Sequence, residues 1–320
     1  MEILLKSGRD DLANVYIAKT PESKYIEFVE SIQPPYPKKE KWVLIVSTLF
    51  GCPVGCSICD AGGWYKGKLT QAEIEYQIDY LIRQSFPDGK VNTRKFKIQF
   101  SRMGEPALNP AVLDVLDAFP HKYDINGFIP SISTVAPMGF DSFFERLRDI
   151  KNRHYRNGQF QLQFSVHATS PEERDRLIPI RKWNLDQIAH YGNTFFETGD
   201  RKITLNFALS DQYPIDPDII SKIFNPEHFL IKLTPVNPTI SAEQNQITNG
   251  LKDIRSIESL PSIQLIKKAG FQVLISIGEL EENKIGSNCG QYIKRFLNER
   301  GFDNPESYSY PRSGFDSKVS

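Results

Sequence analysis

The sequence predicts an α/β protein whose core is a partial (β/α)6 barrel of the TIM type, preceded by a small β extension. Short runs of β-branched and aromatic residues alternate about six times with segments of roughly 3.6-residue periodicity. Such alternation indicates parallel strands joined by right-handed helical crossovers, in either a barrel or a doubly wound sheet. In both architectures active groups collect where strands end, so polar residues at strand ends are the candidates for a site.

Seven strand segments and seven helical segments make up this alternation. Thr70 and Glu73 form an S/T-x-x-E capping box, and Asp216 before Pro217 is typical of a helix N-cap with proline at the first helical position. The predicted strands are residues 42–48, 95–101, 127–133, 159–166, 202–209, 228–234 and 271–277. The predicted helices are residues 70–84, 110–118, 140–151, 171–177, 184–197, 217–224 and 257–269.

We predict three parts along the chain. Residues 1–40 form an N-terminal β-hairpin extension, built from short strand-like stretches. Residues 41–300 form the core barrel. Residues 301–320 form a C-terminal tail, because this segment is polar and rich in turn residues.

Composition restricts the class of protein. The 320 residues are 40% hydrophobic and 24% charged, which is typical of a globular chain that buries a full core. The 39 basic and 39 acidic side chains give a formal net charge of zero, which argues against a large RNA partner. No apolar run approaches the roughly eighteen residues of a membrane span, and early charges exclude a secretory signal. With few cysteines for disulfides, we expect a cytoplasmic protein.

Three of the four cysteines lie in one loop, GCPVGCSIC at residues 51–59. Structural zinc sites take four protein ligands, so zinc would need His167 or Cys289 in addition to Cys52, Cys56 and Cys59. Three thiolates from one loop can instead bind three irons of a [4Fe–4S] cluster and leave the fourth iron open to substrate. The loop therefore favours a cluster, with zinc and unrelated thiols as the alternatives.

The spacing of this loop also carries a resemblance. Gly51 and Gly55 lower the conformational cost of wrapping the backbone around a cube-shaped [4Fe–4S] cluster. Placed just after the first barrel strand, C-x3-C-x2-C resembles the radical S-adenosylmethionine (SAM) superfamily. In that superfamily the open iron chelates SAM, and one electron cleaves it to methionine and a 5′-deoxyadenosyl radical. The resemblance implies a [4Fe–4S] cluster on Cys52, Cys56 and Cys59, SAM as cofactor, and an electron donor such as a flavodoxin or ferredoxin.

Further boxes resemble one branch of the superfamily, the RlmN/Cfr methyltransferases. That branch methylates adenine of ribosomal RNA and, in some cases, transfer RNA. The resemblance covers about residues 40–295, and the boxes follow the family's order. They are SRMGEPALN at 101–109, STVAP at 133–137, FSVHATSPEERDRLIPI at 164–180, TPVNP at 234–238 and NCGQ at 288–291.

Two of the boxed residues have a direct physical reason to contact SAM. Gly104 permits close approach of the backbone, and Glu105 supplies a carboxylate for the ammonium of SAM. Both follow directly on a predicted strand, where the mouth of the barrel lies. A solvated loop carboxylate is the alternative for Glu105.

Four other polar residues at strand ends complete the candidate SAM site. The resemblance assigns the methionine carboxylate and the ribose to Ser133, Ser165 and His167. It places Asn237 near the ribose or the adenine. Each alone is also compatible with an ordinary turn residue, and His167 with a hydrogen-bonded core histidine, so it is their joint position at strand ends that favours the site.

The fourth cysteine, Cys289, lies in the family's CGQ motif. In the family this cysteine accepts a methyl group from one SAM. A radical from a second SAM then removes hydrogen from that methyl group, and the resulting carbon attacks an sp² carbon of the substrate. A second family cysteine, seven positions before the cluster motif, resolves the adduct. Ile45 occupies that position here and cannot abstract a proton. A buried structural thiol is the alternative for Cys289.

Two departures from the family point away from ribosomal RNA. Residues 278–283, GELEEN, replace a basic stretch and would repel phosphates, and about forty residues precede the first barrel strand, too few for the family's RNA-recruiting domain. We therefore predict a radical SAM enzyme that transfers methyl through Cys289 to a small molecule or peptide. The alternatives are hydrogen abstraction without methyl transfer, methylation of RNA adenine, and a binding module that the cluster merely stiffens.

Overall fold

The computed structural model describes residues 1–32, 36–123, 125, 127–210, 212–248, 257–276, 282, 285–288 and 292–299. Cys289 and the predicted tail at 301–320 lie outside the described residues.

Ten strands form one sheet in which every strand pairs with the next along the chain. β1 to β4 pair in antiparallel fashion, and β4 to β10 are all parallel. The strands are β1 Glu2–Arg9, β2 Ala13–Lys19, β3 Tyr25–Ser31, β4 Lys41–Val46, β5 Lys95–Phe100, β6 Phe128–Thr134, β7 Gln161–Ser165, β8 Ile203–Leu209, β9 Phe229–Pro235 and β10 Val273–Ile275.

Helices connect the parallel strands, and each of the seven predicted strands and helices overlaps an observed one. The capping box of Thr70 with Glu73 and the N-cap at Asp216 are both confirmed. Two short helices, α7 and α9, were not predicted. The helices are α1 Gln71–Ser85, α2 Ala111–Lys122, α3 Asp141–His154, α4 Pro171–Leu177, α5 Leu185–Phe195, α6 Pro217–Ile223, α7 Ile240–Gln244, α8 Pro261–Lys268 and α9 Ile293–Glu299.

The strand order identifies the parallel part of the sheet as barrel-like. A doubly wound sheet reverses its strand order at a switch point, whereas β4 to β10 follow the chain without reversal. Right-handed crossovers in one direction keep the helices on one face, so the opposite face turns inward. Among the described residues no ladder joins β10 to β1, and the predicted α/β class with an incomplete barrel is confirmed.

The three N-terminal strands extend the same sheet on the side of β4. Every residue of β2 except its last is buried, and Tyr16 stacks on Phe28 of β3 with ring centroids 5.3 Å apart. Tyr80 of α1 meets Phe28 edge-on at 6.0 Å, so the first barrel helix covers the extension. In the part of the chain that the structure describes, no helix has the length and apolar character needed to cross a membrane.

Candidate active site

One cavity of about 1020 Å³ opens where the parallel strands end. It is lined by every described residue that the sequence selects for the site. Ser287 and Asn288, which directly precede Cys289 in the sequence, line it as well. The selected residues in its wall are Cys52, Cys56, Cys59, Gly104, Glu105, Ser133, Ser165, His167 and Asn237.

The cysteine loop is closed at its base by Asn109, the last residue of SRMGEPALN. Its buried side-chain amide donates to the carbonyls of Thr48 and Leu69, at 2.7 Å each, on the two sides of the loop. The backbone N–H groups of Thr48 and Leu49 donate to the carbonyl of Met103. The loop that carries the thiols and the glycine box after β5 therefore form one unit.

Glycines shape the loop as the sequence predicts. Gly51 has φ +74° and Gly55 has φ +67°, in the left-handed region that favours glycine. A Cβ on Gly51 would lie 2.5 Å from the carbonyl oxygen of Trp64, so the turn also needs the missing side chain.

Asp60, next to Cys59, docks the far side of the loop on α7. Its buried carboxylate accepts hydrogen bonds from the backbone N–H groups of Ile240 and Ser241, in the first turn of that helix. Thr239 donates its hydroxyl to the carbonyl of Ile58 at 3.0 Å. Sequence reasoning missed Asp60, although two signals for it were visible. One is an acidic residue directly after Cys59, and the other is a helix start that follows the TPVNP segment.

Glu105 lies at the junction of β5 and β6 and is 5% exposed. One carboxylate oxygen accepts hydrogen bonds from Thr134 Oγ1 at 2.5 Å and from the N–H of Ala107, and the other accepts from the N–H of Val135 at 2.9 Å. Burial raises the pKa of Glu105 to about 7, against these hydrogen bonds, which lower it. A cationic ligand group in the cavity would stabilise the ionised form.

Gly104 brings the backbone against the start of the cysteine loop. It has φ +104°, and a Cβ there would lie 2.6 Å from side-chain atoms of Leu49 and 2.8 Å from its backbone nitrogen. The close contact of Gly104 in the structure is with the cysteine loop, whereas the approach predicted from the sequence was to SAM.

His167 follows β7 with a positive φ of 64°, uncommon for a residue with a side chain. Its Nδ1 accepts a hydrogen bond from the N–H of Ala208 at 3.1 Å, so the proton of the neutral ring lies on Nε2. Burial, with a smaller effect from Arg174, lowers the pKa of His167 to about 4. The ring is therefore a neutral N–H donor in the cavity wall at physiological pH.

Below the strand ends, the inner wall is polar. TIM barrels fill this space with branched apolar side chains, whereas here amide, hydroxyl and ammonium groups from the middle of the strands line the cavity. We call them the polar ring: Gln99, Ser131, Gln163, Asn206 and Lys232.

The lysine of the polar ring has a cationic neighbour deeper in the barrel. Burial, followed by the charge of Lys232, lowers the pKa of Lys97 well below its usual range. Lys97 Nζ donates to Gln161 Oε1 at 2.8 Å. An anionic group beside these two lysines would stabilise their protonated forms.

Arg102 was also missed by sequence reasoning, although a charged residue inside the glycine box, directly after an apolar strand, was a visible signal. Its side chain is fully buried beside the equally buried Glu27 of β3, with Nε and Oε1 3.1 Å apart. This distance makes an ion pair, although the N–H is not aligned for a hydrogen bond.

Ile45, where the resemblance expects a second cysteine, lines the same cavity.

The donor set of the cavity fits the two cofactors. The three partly exposed cysteines offer thiolates, the ligands that iron–sulfur clusters take. Glu105 and His167 add an acceptor for a cation and a neutral donor. Among the described residues no three or more His, Cys, Asp or Glu side chains are arranged to hold a single metal ion, whereas a cluster takes each thiolate on a separate iron.

Comparisons with known proteins agree with the family resemblance of the sequence motifs. No family model matches the chain. It is 30% identical over 265 residues to the probable dual-specificity RNA methyltransferase RlmN of Desulfitobacterium hafniense, across 79% of this chain and 68% of that protein. It is 31% identical over 189 residues to the dual-specificity RNA methyltransferase RlmN of Halorhodospira halophila, across 57% of this chain and 48% of that protein.

A solved structure agrees in fold. The crystal structure of a radical SAM methyltransferase from Sphaerobacter thermophilus superposes with a TM-score of 0.69 at 21% identity, across 90% of this chain and 80% of that one. Fold, cavity and relatives together define a radical SAM methyltransferase, a class that uses a [4Fe–4S] cluster and SAM. The chain belongs to the RlmN family.

Proposed function

We propose that this enzyme carries a methyl group on Cys289 and delivers a one-carbon unit to a small polar substrate that bears an anionic group. The observation that supports the proposal is the single cavity, which joins the cysteine loop, the candidate SAM contacts, the residues before Cys289 and the polar ring. In this proposal Cys52, Cys56 and Cys59 hold the cluster at one wall.

When bound, the cluster and SAM supply a methyl cation equivalent and, after one-electron reduction, a 5′-deoxyadenosyl radical. The residues of the chain orient SAM. Glu105 accepts hydrogen bonds from its ammonium, and the Nε2–H of His167 donates to an oxygen of its carboxylate or ribose. Ser133, Ser165 and Asn237 offer further hydroxyl and amide groups along the same wall.

Cys289 accepts the methyl group by nucleophilic displacement. The thiol loses its proton to solvent, its sulfur forms a bond to the methyl carbon, and the bond from that carbon to the sulfonium breaks, which releases S-adenosylhomocysteine. Because Ile45 cannot accept a proton, release of the substrate from Cys289 depends on a group other than residue 45.

The polar ring supports the choice of substrate. Its amides and hydroxyls match a molecule with several polar groups, and Lys232 with Lys97 favours an anionic group such as a carboxylate or a phosphate. Around the mouth lie Glu243 and Glu282, and the basic side chains in the described lining are Arg102 and Lys232. Arg102 is neutralised by Glu27.

RNA is the second candidate, because the relatives are named as RNA methyltransferases. A nucleotide could place its base in the cavity only with its phosphates at the mouth, and acidic groups there oppose phosphates. The two candidates therefore differ in where the anionic group lies, deep in the barrel or at its entrance.

Mass spectrometry tests the role of Cys289. The anaerobically reconstituted protein is incubated with methyl-labelled SAM, and its peptides are analysed. We expect the label on Cys289, S-adenosylhomocysteine as product and no label in Cys289→Ala. An unlabelled Cys289 together with formation of 5′-deoxyadenosine would favour hydrogen abstraction without methyl transfer.

Binding measurements test the substrate class. A panel of small carboxylates and phosphomonoesters is compared with RNA oligonucleotides, using the wild type, Lys232→Met and Glu243→Lys. We expect small anions to bind about tenfold or more weakly to Lys232→Met and equally well to Glu243→Lys. RNA that binds the wild type, binds Glu243→Lys more tightly and ignores Lys232→Met would replace the proposal by the second candidate.

A further inference from the structure

The ion pair of Glu27 and Arg102 contacts the chain on both sides of Cys289. On the preceding side, Arg102 donates from Nη2 to the carbonyl of Gly286 at 2.6 Å and from Nη1 to the carbonyl of Ser287 at 2.8 Å, with a further bond to the carbonyl of Asn288. On the following side, Glu27 Oε2 accepts a hydrogen bond from the N–H of Ile293 at 2.8 Å, where α9 begins.

The side chain of Arg102 suits the groups that it contacts, which are the carboxylate of Glu27 and three backbone carbonyls. A guanidinium carries five N–H donors in a fixed plane, so it can face a carboxylate with one edge and several carbonyls with another. A lysine at position 102 would offer one flexible ammonium instead. Both side chains have 0% exposure, so water does not compete for these groups.

The strand that provides Glu27 belongs to the N-terminal extension, not to the parallel barrel. Ser31 at the end of the same strand donates to Glu282 Oε1 at 3.4 Å, and the carbonyl of Glu282 accepts from the N–H groups of Gly286 and Ser287. β3 therefore contacts the chain before Cys289 through Ser31 and the chain after it through Glu27. Ser31, Glu282, Ser287 and Asn288 all line the cavity.

We infer that Glu27 and Arg102 are positioning residues, which hold the ends of the segment containing Cys289 at the cavity and so set where its thiol meets SAM. The inference deepens the proposed function and rests on it for the methyl-transfer readout. Positioning matters because a displacement of about 1 Å from the reactive geometry costs on the order of 100-fold in rate.

A variant series separates positioning from stability. Removing one partner, in Arg102→Met or Glu27→Leu, leaves a buried charge alone and destabilises the protein, whereas Glu27→Leu/Arg102→Met removes both charges and restores stability. The double variant still lacks every hydrogen bond that Glu27 and Arg102 make to the chain on either side of Cys289. The matched control is the buried pair of Lys151 with Asp200, 2.6 Å apart, treated in the same way by Lys151→Met/Asp200→Leu.

Two readouts follow Cys289 in the reconstituted protein. The first is the fraction of Cys289 methylated after a fixed time with SAM. The second is the rate at which iodoacetamide alkylates Cys289 in the absence of SAM, with the cluster cysteines as internal reference. For the double variant of Glu27 and Arg102 we expect about 100-fold slower methylation and about tenfold faster alkylation, while the control pair changes neither.

The outcomes are distinguishable. Wild-type rates of both reactions in the folded double variant would overturn the inference. If Cys289 is never methylated in the wild type but its alkylation responds to Glu27 and Arg102, the proposed function fails and the positioning of the segment stands. Arg102→Lys provides a further check, because a single ammonium should leave alkylation fast even though the charge pair is retained.

Discussion

Asp60 and Ser241 are joined by two hydrogen bonds, from the N–H of Ser241 at 2.8 Å and from its hydroxyl at 2.7 Å, both to Oδ1 of Asp60. The contact spans 181 positions of the chain and connects the residue after Cys59 with the helix that follows TPVNP. Because Asn237 lies just before this helix, the two ends of the candidate cofactor site are fixed relative to each other.

Asp60→Ala should both destabilise the protein and weaken retention of the cluster. It removes the acceptor for two first-turn N–H groups of α7, which costs about 2 kcal/mol by analogy with helix caps. The cysteine loop then loses its anchor. We expect a lower free energy of unfolding in urea, and iron content that falls faster under a chelator than in the wild type.

Asp216→Ala is the matched control for that change. Asp216 accepts hydrogen bonds from two N–H groups at the start of α6 in the same way, but it does not line the cavity. It should lose about 1 kcal/mol of stability and keep wild-type iron retention. Equal iron retention in both variants would contradict an anchoring role for Asp60.

Asn109→Asp should disrupt the base of the cysteine loop although the side chain keeps its shape. Asn109 uses its amide N–H groups as donors to two carbonyls, and an aspartate has only acceptors to offer there. A buried carboxylate facing two carbonyls costs several kcal/mol, on the order of 3. Thermal unfolding and iron content should both decrease.

Asn184→Asp makes the same substitution with the opposite expectation. Asn184 caps α5 by accepting a hydrogen bond from the N–H of Gln187 at 2.8 Å, and an aspartate accepts that bond equally well. Stability should change by less than about 0.5 kcal/mol. A comparable loss in the two variants would show that the donors of Asn109 are not what closes the loop.

Gly104→Ala tests the contact between the glycine box and the cysteine loop. The new Cβ would lie 2.6 Å from Leu49, in addition to the strain of an alanine at φ +104°. Gly139→Ala imposes similar strain at φ +85° with no atom within 4 Å of the new Cβ. We expect a loss of about 1–2 kcal/mol for Gly139→Ala, and a clearly larger loss with reduced iron content for Gly104→Ala. Equal losses would mean that strain alone explains the effect.

Much of this architecture follows from local sequence. Periodicity located the parallel strands because each has a buried face, and the caps at Thr70 and Asp216 involve residues within three positions of each other. The short helix α7 has a local N-cap in Thr239, but its five residues are too few to show a helical periodicity, and two further N–H groups of its first turn are satisfied by Asp60, far away in the chain. Local patterns carry no information about such a partner.

The candidate site likewise has residues that local sequence predicts and residues that it does not. Motif spacing selected the residues at strand ends, because parallel strands deliver their ends to one edge. The partners that hold these residues were not selected, since Glu27 and Arg102 are far apart in sequence and each alone is compatible with a surface charge. The polar ring was missed because polar residues that alternate with apolar ones, as in β5 and β7, are equally typical of a strand face that contacts solvent. Only the curvature of the sheet shows that this face is enclosed.

The pKa of Glu105 predicts how SAM binding and stability depend on pH. Folding raises this pKa from 4.5 to about 7, so the folded protein binds the proton more tightly than the unfolded chain does. The stabilisation from the neutral carboxyl is therefore complete below pH 4.5 and is lost as the pH rises to about 7, on the order of 3 kcal/mol in all. SAM needs the ionised form for its ammonium, so its affinity should rise over the same upper range.

Glu105→Gln should separate these two effects. The variant should lose the pH dependence of stability that Glu105 contributes, because it has no ionisable group at this position. At about pH 8 it should bind SAM about 100-fold more weakly than the wild type, and this difference should shrink toward about pH 6, where most of the wild-type carboxyl is protonated. Thr134→Val should move the rise in SAM affinity to higher pH, since it removes a donor that stabilises the ionised carboxylate. Calorimetric titration between about pH 6 and about pH 8 measures both shifts, and a wild-type affinity that stays constant over that range would show that Glu105 does not bind the ammonium.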